Sequence, residues 1–147
     1  TEVYLDIVGD GPEQKRLAYY CENQNICNLV QFLGVKKGDA LADEYRKHQT
    51  LIIPSIWNEP FGVVALEGLA CGCNVIASDG DGLTDACLGI GHLFQKGDVN
   101  SLCEAILEHH INIPTNKNNP SPIQLKAHHL DEIVKKWVNY LEAIHEN

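Results

Sequence analysis

Five short apolar runs alternate with segments of helical character, and this alternation constrains the fold more than any other feature. The runs are VYLDIV (Val3–Val8), NLVQFL (Asn28–Leu33), TLIIPS (Thr50–Ser55), NVIAS (Asn74–Ser78) and GHLF (Gly91–Phe94). Between and after them the pattern predicts helices over Glu13–Cys21, over Asp39–His48 with Asp39 as N-cap, from about Pro60 to a cap at Gly72, over Asp98–His110, and over Leu130–His145. Residues 112–122 read as a polar loop broken by proline. The strands are apolar on both faces, as in a parallel sheet covered by helices on both sides. The predicted class is therefore α/β, a Rossmann-like parallel sheet. Such folds bind ligands at the carboxyl ends of strands and at helix N-termini. The loops of interest follow Val8, Leu33, Pro54 and Ser78.

At 147 residues the chain has the length of one domain and can bury a core. Acidic residues outnumber basic ones 20 to 11, for a net charge of −9, which disfavours broad binding to nucleic acid or anionic lipid. No apolar run reaches the ~20 residues of a membrane span. The chain contains no methionine, so it is expected to begin downstream of a translation start, as part of a longer protein. The six cysteines, Cys21, Cys27, Cys71, Cys73, Cys87 and Cys103, lack the spacing of a zinc site and read as reduced, mostly buried thiols. His109-His110 and His128-His129 read as surface or terminal residues, with no metal expected.

One stretch carries chemistry. In WNEPFGVVALEGLACG (Trp57–Gly72), every residue from Phe61 to Cys71 is apolar or glycine except Glu67. A helix apolar all round is buried, so Glu67, sharing a face with Val63, Leu66 and Ala70, is expected to lose much of its water and to need hydrogen-bond donors. The vicinal hydroxyls of a ribose supply two; a buried lysine or a backbone amide also meets the need. Pro60 suits a first helical turn, and Gly62 admits a close neighbour. The amides of Gly62, Val63 and Val64 then favour a phosphate. Glu59, at the mouth of this site, lies ~12 Å from Glu67 at the helical rise. That separation suits a sugar at one carboxylate, a ribose at the other and a diphosphate between; Glu59 as a simple helix cap is the competing reading.

The segment PSIWNEPFGVVALEGLACGCNVIASD resembles the nucleotide-binding half of retaining glycosyltransferases of the GT-B fold, in the large group with sucrose synthase-like and mannosyltransferase enzymes (glycosyltransferase family four). The group's pattern, E-x-F-G-x-x-x-x-E-x-x-A-x-G, falls on Glu59, Phe61, Gly62, Glu67, Ala70 and Gly72. LDIVGDGPEQKRL, VQFLG and GHLFQKGDVNSLCEAI extend the resemblance over nearly the whole chain. It implies that Glu67 holds the donor ribose and that Glu59 contacts the transferred sugar near the reacting carbon, as the catalytic residue. Backbone at Phe61, Gly62, Val63 and Val64 then touches sugar or diphosphate. Gly34 and Val35 border the base, and Gly9 and Gly11 lie close to the cleft.

The implied reaction transfers a sugar from a nucleoside diphosphate sugar, of UDP or GDP type, with retention and with no cofactor or essential metal. The acceptor is a glycan or a lipid-linked molecule. The family's second domain opens with a strand and helix bearing an arginine and a lysine. That pair has no counterpart here, since Lys15, Arg16, Arg46 and Lys47 stand on helices and do not match. Residues 1–147 are thus expected to form one partial donor-binding domain, lacking that first strand and helix and the N-terminal acceptor domain, and inactive alone. A cytoplasmic location, at the inner face of the membrane through the acceptor domain, goes with this reading, and a dimer is compatible with it. A nucleotide-sugar epimerase of the same architecture and a non-catalytic nucleotide-sugar-binding module are the alternatives.

Overall fold

The computed structural model describes residues 3–111. The elements are β1 (Leu5–Val8), α1 (Gln14–Asn23), β2 (Val30–Gly34), α2 (Gly38–Lys47), β3 (Thr50–Ile53), α3 (Val63–Ala70), β4 (Asn74–Ser78), α4 (Asp81–Ala86), β5 (His92–Phe94) and α5 (Val99–Ile111). The loop read over 112–122 and the helix read over 130–145 lie outside the described residues. The five expected strands are present. Asp39 lies within the first turn of α2 rather than capping it, because the helix already starts at Gly38.

The chain forms two compact units, the first ending at Leu41 and the second starting at Ala42. In the first, β1 and β2 pair in parallel, Leu5 against Val30 and Ile7 against Phe32, until a register shift sets Val8 against Gly34. The Gly9 N–H continues the pairing by donating to the Gly34 carbonyl at 2.8 Å.

In the second unit β3, β4 and β5 form a parallel sheet with β4 in the centre. From Val75 to Ser78 every residue of β4 is buried, so both faces of this strand are covered. Period-two alternation divides the work. Val75 and Ala77, with Ile53 of β3, pack against Ala65 and Leu69 of α3 and against Leu83, Ala86 and Cys87 in and after α4. Ile76 points the other way, and its register partner His92 meets His109 of α5 edge-on, ring centroids 4.9 Å apart. Helices therefore flank both faces of this sheet, as the apolar strands predict.

Two expectations change here. His109, read as a surface residue, is buried because α5 folds it onto the sheet. The six cysteines form no disulfide, but only Cys21, Cys73 and Cys87 are buried, while Cys27 and Cys103 are exposed. Burial pushes the Cys87 thiol up to about 11, which keeps it protonated.

Helix α3 ends as the sequence predicts. Gly72 takes a left-handed φ of 86°. Its N–H donates to the Leu69 carbonyl at 3.0 Å, and the Cys73 N–H donates to the Gly68 carbonyl at 2.9 Å. This is the paired closure that satisfies the last carbonyls of a helix.

Candidate functional site

The site is built on the loop between β3 and α3, at the carboxyl end of the second sheet. Its shape depends on two glycines. Gly62 is the N-cap of α3 with φ 72°, and a Cβ there would meet the Ala86 side chain at 2.9 Å. An L-residue would be strained in that conformation and crowded in that space. The left-handed Gly62 also starts the helix at Val63, three residues later than Pro60, so Pro60 belongs to the turn before the helix. Among the described residues no side-chain oxygen caps the first turn of α3, where the N–H groups of Val63 and Val64 lie.

The second glycine is Gly82, in a helix that sequence reading missed. The sequence pattern predicts no helix between Gly72 and Asp98, yet Asp81–Ala86 is the short helix α4. Asp79 is drawn into its entry: its carboxylate accepts the Thr84 hydroxyl at 2.9 Å, and the Thr84 oxygen accepts the Gly80 N–H at 2.9 Å. The Gly82 N–H donates to the Glu59 carbonyl at 3.0 Å. A Cβ on Gly82 would collide with the Pro60–Phe61 backbone. Helix α4 thus lies directly against the loop and holds it.

Glu59 is half-buried, and its Oε1 accepts the Ser55 hydroxyl at 3.0 Å. Beside it, Lys96 from the turn after β5 donates to Asn58 Oδ1 at 3.0 Å. Trp57 and Phe61 are both exposed.

Glu67 is not desolvated. The structure exposes Val63, Val64, Glu67 and Ala70 while Ala65, Gly68 and Leu69 are buried, so α3 is apolar all round without being buried all round. The partner expected for Glu67 is present nonetheless. It is Tyr45 of α2, whose hydroxyl donates to Glu67 Oε2 at 3.2 Å. A carboxylate has about four acceptor positions, so one phenol leaves capacity for further donors. Tyr45 is itself tied down, since the buried Cys73 thiol donates to its carbonyl at 3.0 Å. Sequence reading missed Tyr45 because its partner is 22 residues away on another helix.

Burial, and then the Glu67 charge beside it, hold the Tyr45 phenol well above the ordinary tyrosine range. A raised folded pKa contributes stability that is present below the unfolded value of ~10 and lost as pH rises beyond it. The Tyr45→Phe variant should therefore lose less stability above pH ~10 than the parent, a difference that urea unfolding at pH 8 and at pH 11 reads directly.

The six expected donor contacts Glu59, Phe61, Gly62, Val63, Val64 and Glu67 lie together on this loop and helix of the second unit. Gly9, Gly11, Gly34 and Val35 lie in the first unit, at the carboxyl ends of β1 and β2. Of these, Gly9 and Gly34 are hydrogen-bonded to each other, Gly11 donates to Asp10 Oδ1 at 2.8 Å, and Val35 is exposed.

A model of the family described as "Glycosyl transferases group 1" matches residues 1–116. This chain belongs to that family. An uncharacterized glycosyltransferase of Methanocaldococcus jannaschii is 36% identical over 104 residues, covering 69% of this chain and 29% of the relative. A D-inositol 3-phosphate glycosyltransferase of Corynebacterium jeikeium is 40% identical over 73 residues, covering 50% of this chain and 17% of the relative. Among solved structures, the Anabaena protein HepE in complex with UDP and glucose superposes with a TM-score of 0.73 at 24% identity, over 99% of this chain and 41% of that one. That likeness establishes the fold, the parallel α/β architecture of the C-terminal half of GT-B glycosyltransferases. This group 1 chain thus spans less than a third of the length of these two relatives. Among the described residues no helix is long and apolar enough to cross a membrane.

Proposed function

We propose that this chain is the donor-binding half of a retaining glycosyltransferase, which moves a hexose from a nucleoside diphosphate sugar to a glycan or lipid-linked acceptor in cytoplasmic polysaccharide synthesis. The observation that carries this reading is the pair of glutamates bracketing the α3 N-terminus, each with its own hydroxyl partner, Ser55 on Glu59 and Tyr45 on Glu67. The uncapped first turn between them suits a diphosphate, since free N–H groups and the helix dipole favour negative charge there. Glu67, exposed and oriented by Tyr45, takes the ribose diol. Glu59 takes the transferred sugar, and Phe61, Gly62, Val63 and Val64 border the phosphates. In a transfer of this kind charge grows on the departing diphosphate, and preorganised donors lower that barrier. The HepE complex with UDP and glucose favours a uridine donor.

Calorimetric titration with UDP, GDP and ADP, and with UDP-glucose, tests the reading. One nucleotide should bind the parent chain, and Glu67→Ala should weaken it by about tenfold, the value of ~1.4 kcal/mol for a lost charge-assisted bond to the ribose. Unchanged binding in the variant would remove Glu67 from the nucleotide site.

A further inference from the structure

The two strands that carry the site end together, and the way they end bears on Glu59. Pairing of β3 with β4 runs to Ile53 against Ala77. The next residue of the chain, Pro54, has no N–H to extend the ladder. Ser78, fully buried at the end of β4, bridges the gap with its side chain, donating its hydroxyl to the Ser55 carbonyl at 2.8 Å. Ser55 is thereby seated just beyond the strand. Its own hydroxyl reaches forward four residues to Glu59 Oε1 at 3.0 Å. The Glu59 main chain is held separately, by the Gly82 N–H at 3.0 Å. Backbone and carboxylate of Glu59 are therefore fixed by separate contacts, the first from α4 and the second from Ser55 at the start of the same loop.

We propose that Ser55, seated by Ser78, is a positioning residue that sets the rotamer of the Glu59 carboxylate toward the transferred sugar. The proposal rests on the reading of Glu59 as the sugar contact. A glutamate in a loop samples several staggered conformers, and a charge-assisted hydrogen bond to one oxygen selects among them. Ser55 needs no contact with the sugar to do this. Its loss should reduce recognition of the sugar and spare recognition of the nucleotide.

The test compares affinity for UDP-glucose with affinity for UDP in the full chain and in Ser55→Ala, Ser55→Thr and Glu59→Gln. NMR relaxation of the Glu59 side-chain methylenes without ligand is measured alongside. Ser55→Ala should lower the preference for UDP-glucose over UDP about tenfold and leave UDP itself unchanged. Ser55→Thr, which keeps the hydroxyl, should retain the preference. The Glu59 methylenes should become more mobile in Ser55→Ala alone of the two Ser55 variants. If Glu59→Gln loses the preference while Ser55→Ala keeps it, or if Glu59 stays equally ordered in Ser55→Ala, the proposal is overturned. If Glu59→Gln keeps the preference, the sugar-contact reading fails and the positioning proposal with it, whereas the relaxation data still decide whether Ser55 orders Glu59. Should Ser55→Ala not fold, Ser78→Ala replaces it, with a smaller loss of Glu59 order expected and none overturning the proposal.

Discussion

Gly82→Ala should destabilise the protein by ~1–3 kcal/mol, although alanine is the better helix former by ~1 kcal/mol. The two effects oppose each other, and geometry decides between them. Gly82 lies in α4, where propensity alone predicts a gain. Its Cβ, however, would be driven into the backbone of Pro60 and Phe61, and backbone cannot swing aside as a flexible side chain can. The Gly82 N–H would also be pushed off the Glu59 carbonyl it now meets at 3.0 Å. Urea unfolding should show a lower midpoint with an unchanged slope. Donor affinity should fall in the same variant, because the loop bearing Glu59 moves. A stabilised variant would mean that α4 does not press on this loop.

The second large effect separates the two faces of α3. Leu69 is 2% exposed and packs in the core with Val75, Ala77 and Leu83; Val64, five residues earlier, is 45% exposed. Leu69→Ala should cost ~2–5 kcal/mol, for lost transfer free energy and the cavity left behind. Val64→Ala should cost no more than ~0.5 kcal/mol. Equal losses, read by chemical denaturation, would mean that the Val64 face is covered too.

That contrast also explains where sequence reading stopped. Strand β4 matches its expected span, Asn74–Ser78, because a run buried on both faces and introduced by a glycine turn leaves one assignment. In α3 the residues that face outward, Val63, Val64 and Ala70, are as apolar as those that face the sheet. Composition therefore indicated burial all round, and the exposure of Glu67 was hidden. Helix α4 was missed because six residues containing a glycine and two aspartates look like a loop, and so short a helix takes its stability from packing. The signal was nonetheless there, in Leu83, Ala86 and Cys87 at helical spacing, all of them buried. The glutamate pair was legible from its motif. Their partners were not, since Tyr45 and Ser55 acquire meaning only when separate elements are brought together.

The bond from Gly82 to Glu59 has a dynamic consequence. The loop after β3 and the helix after β4 are distant in sequence, yet neither can swing away without breaking the same contact. They should open and close as one cooperative unit, at a single free energy set by the packing of Leu83 and Ala86 rather than by the loop's own residues. A loop anchored to a helix that buries Leu83 and Ala86 should keep its tip ordered even where that tip is exposed.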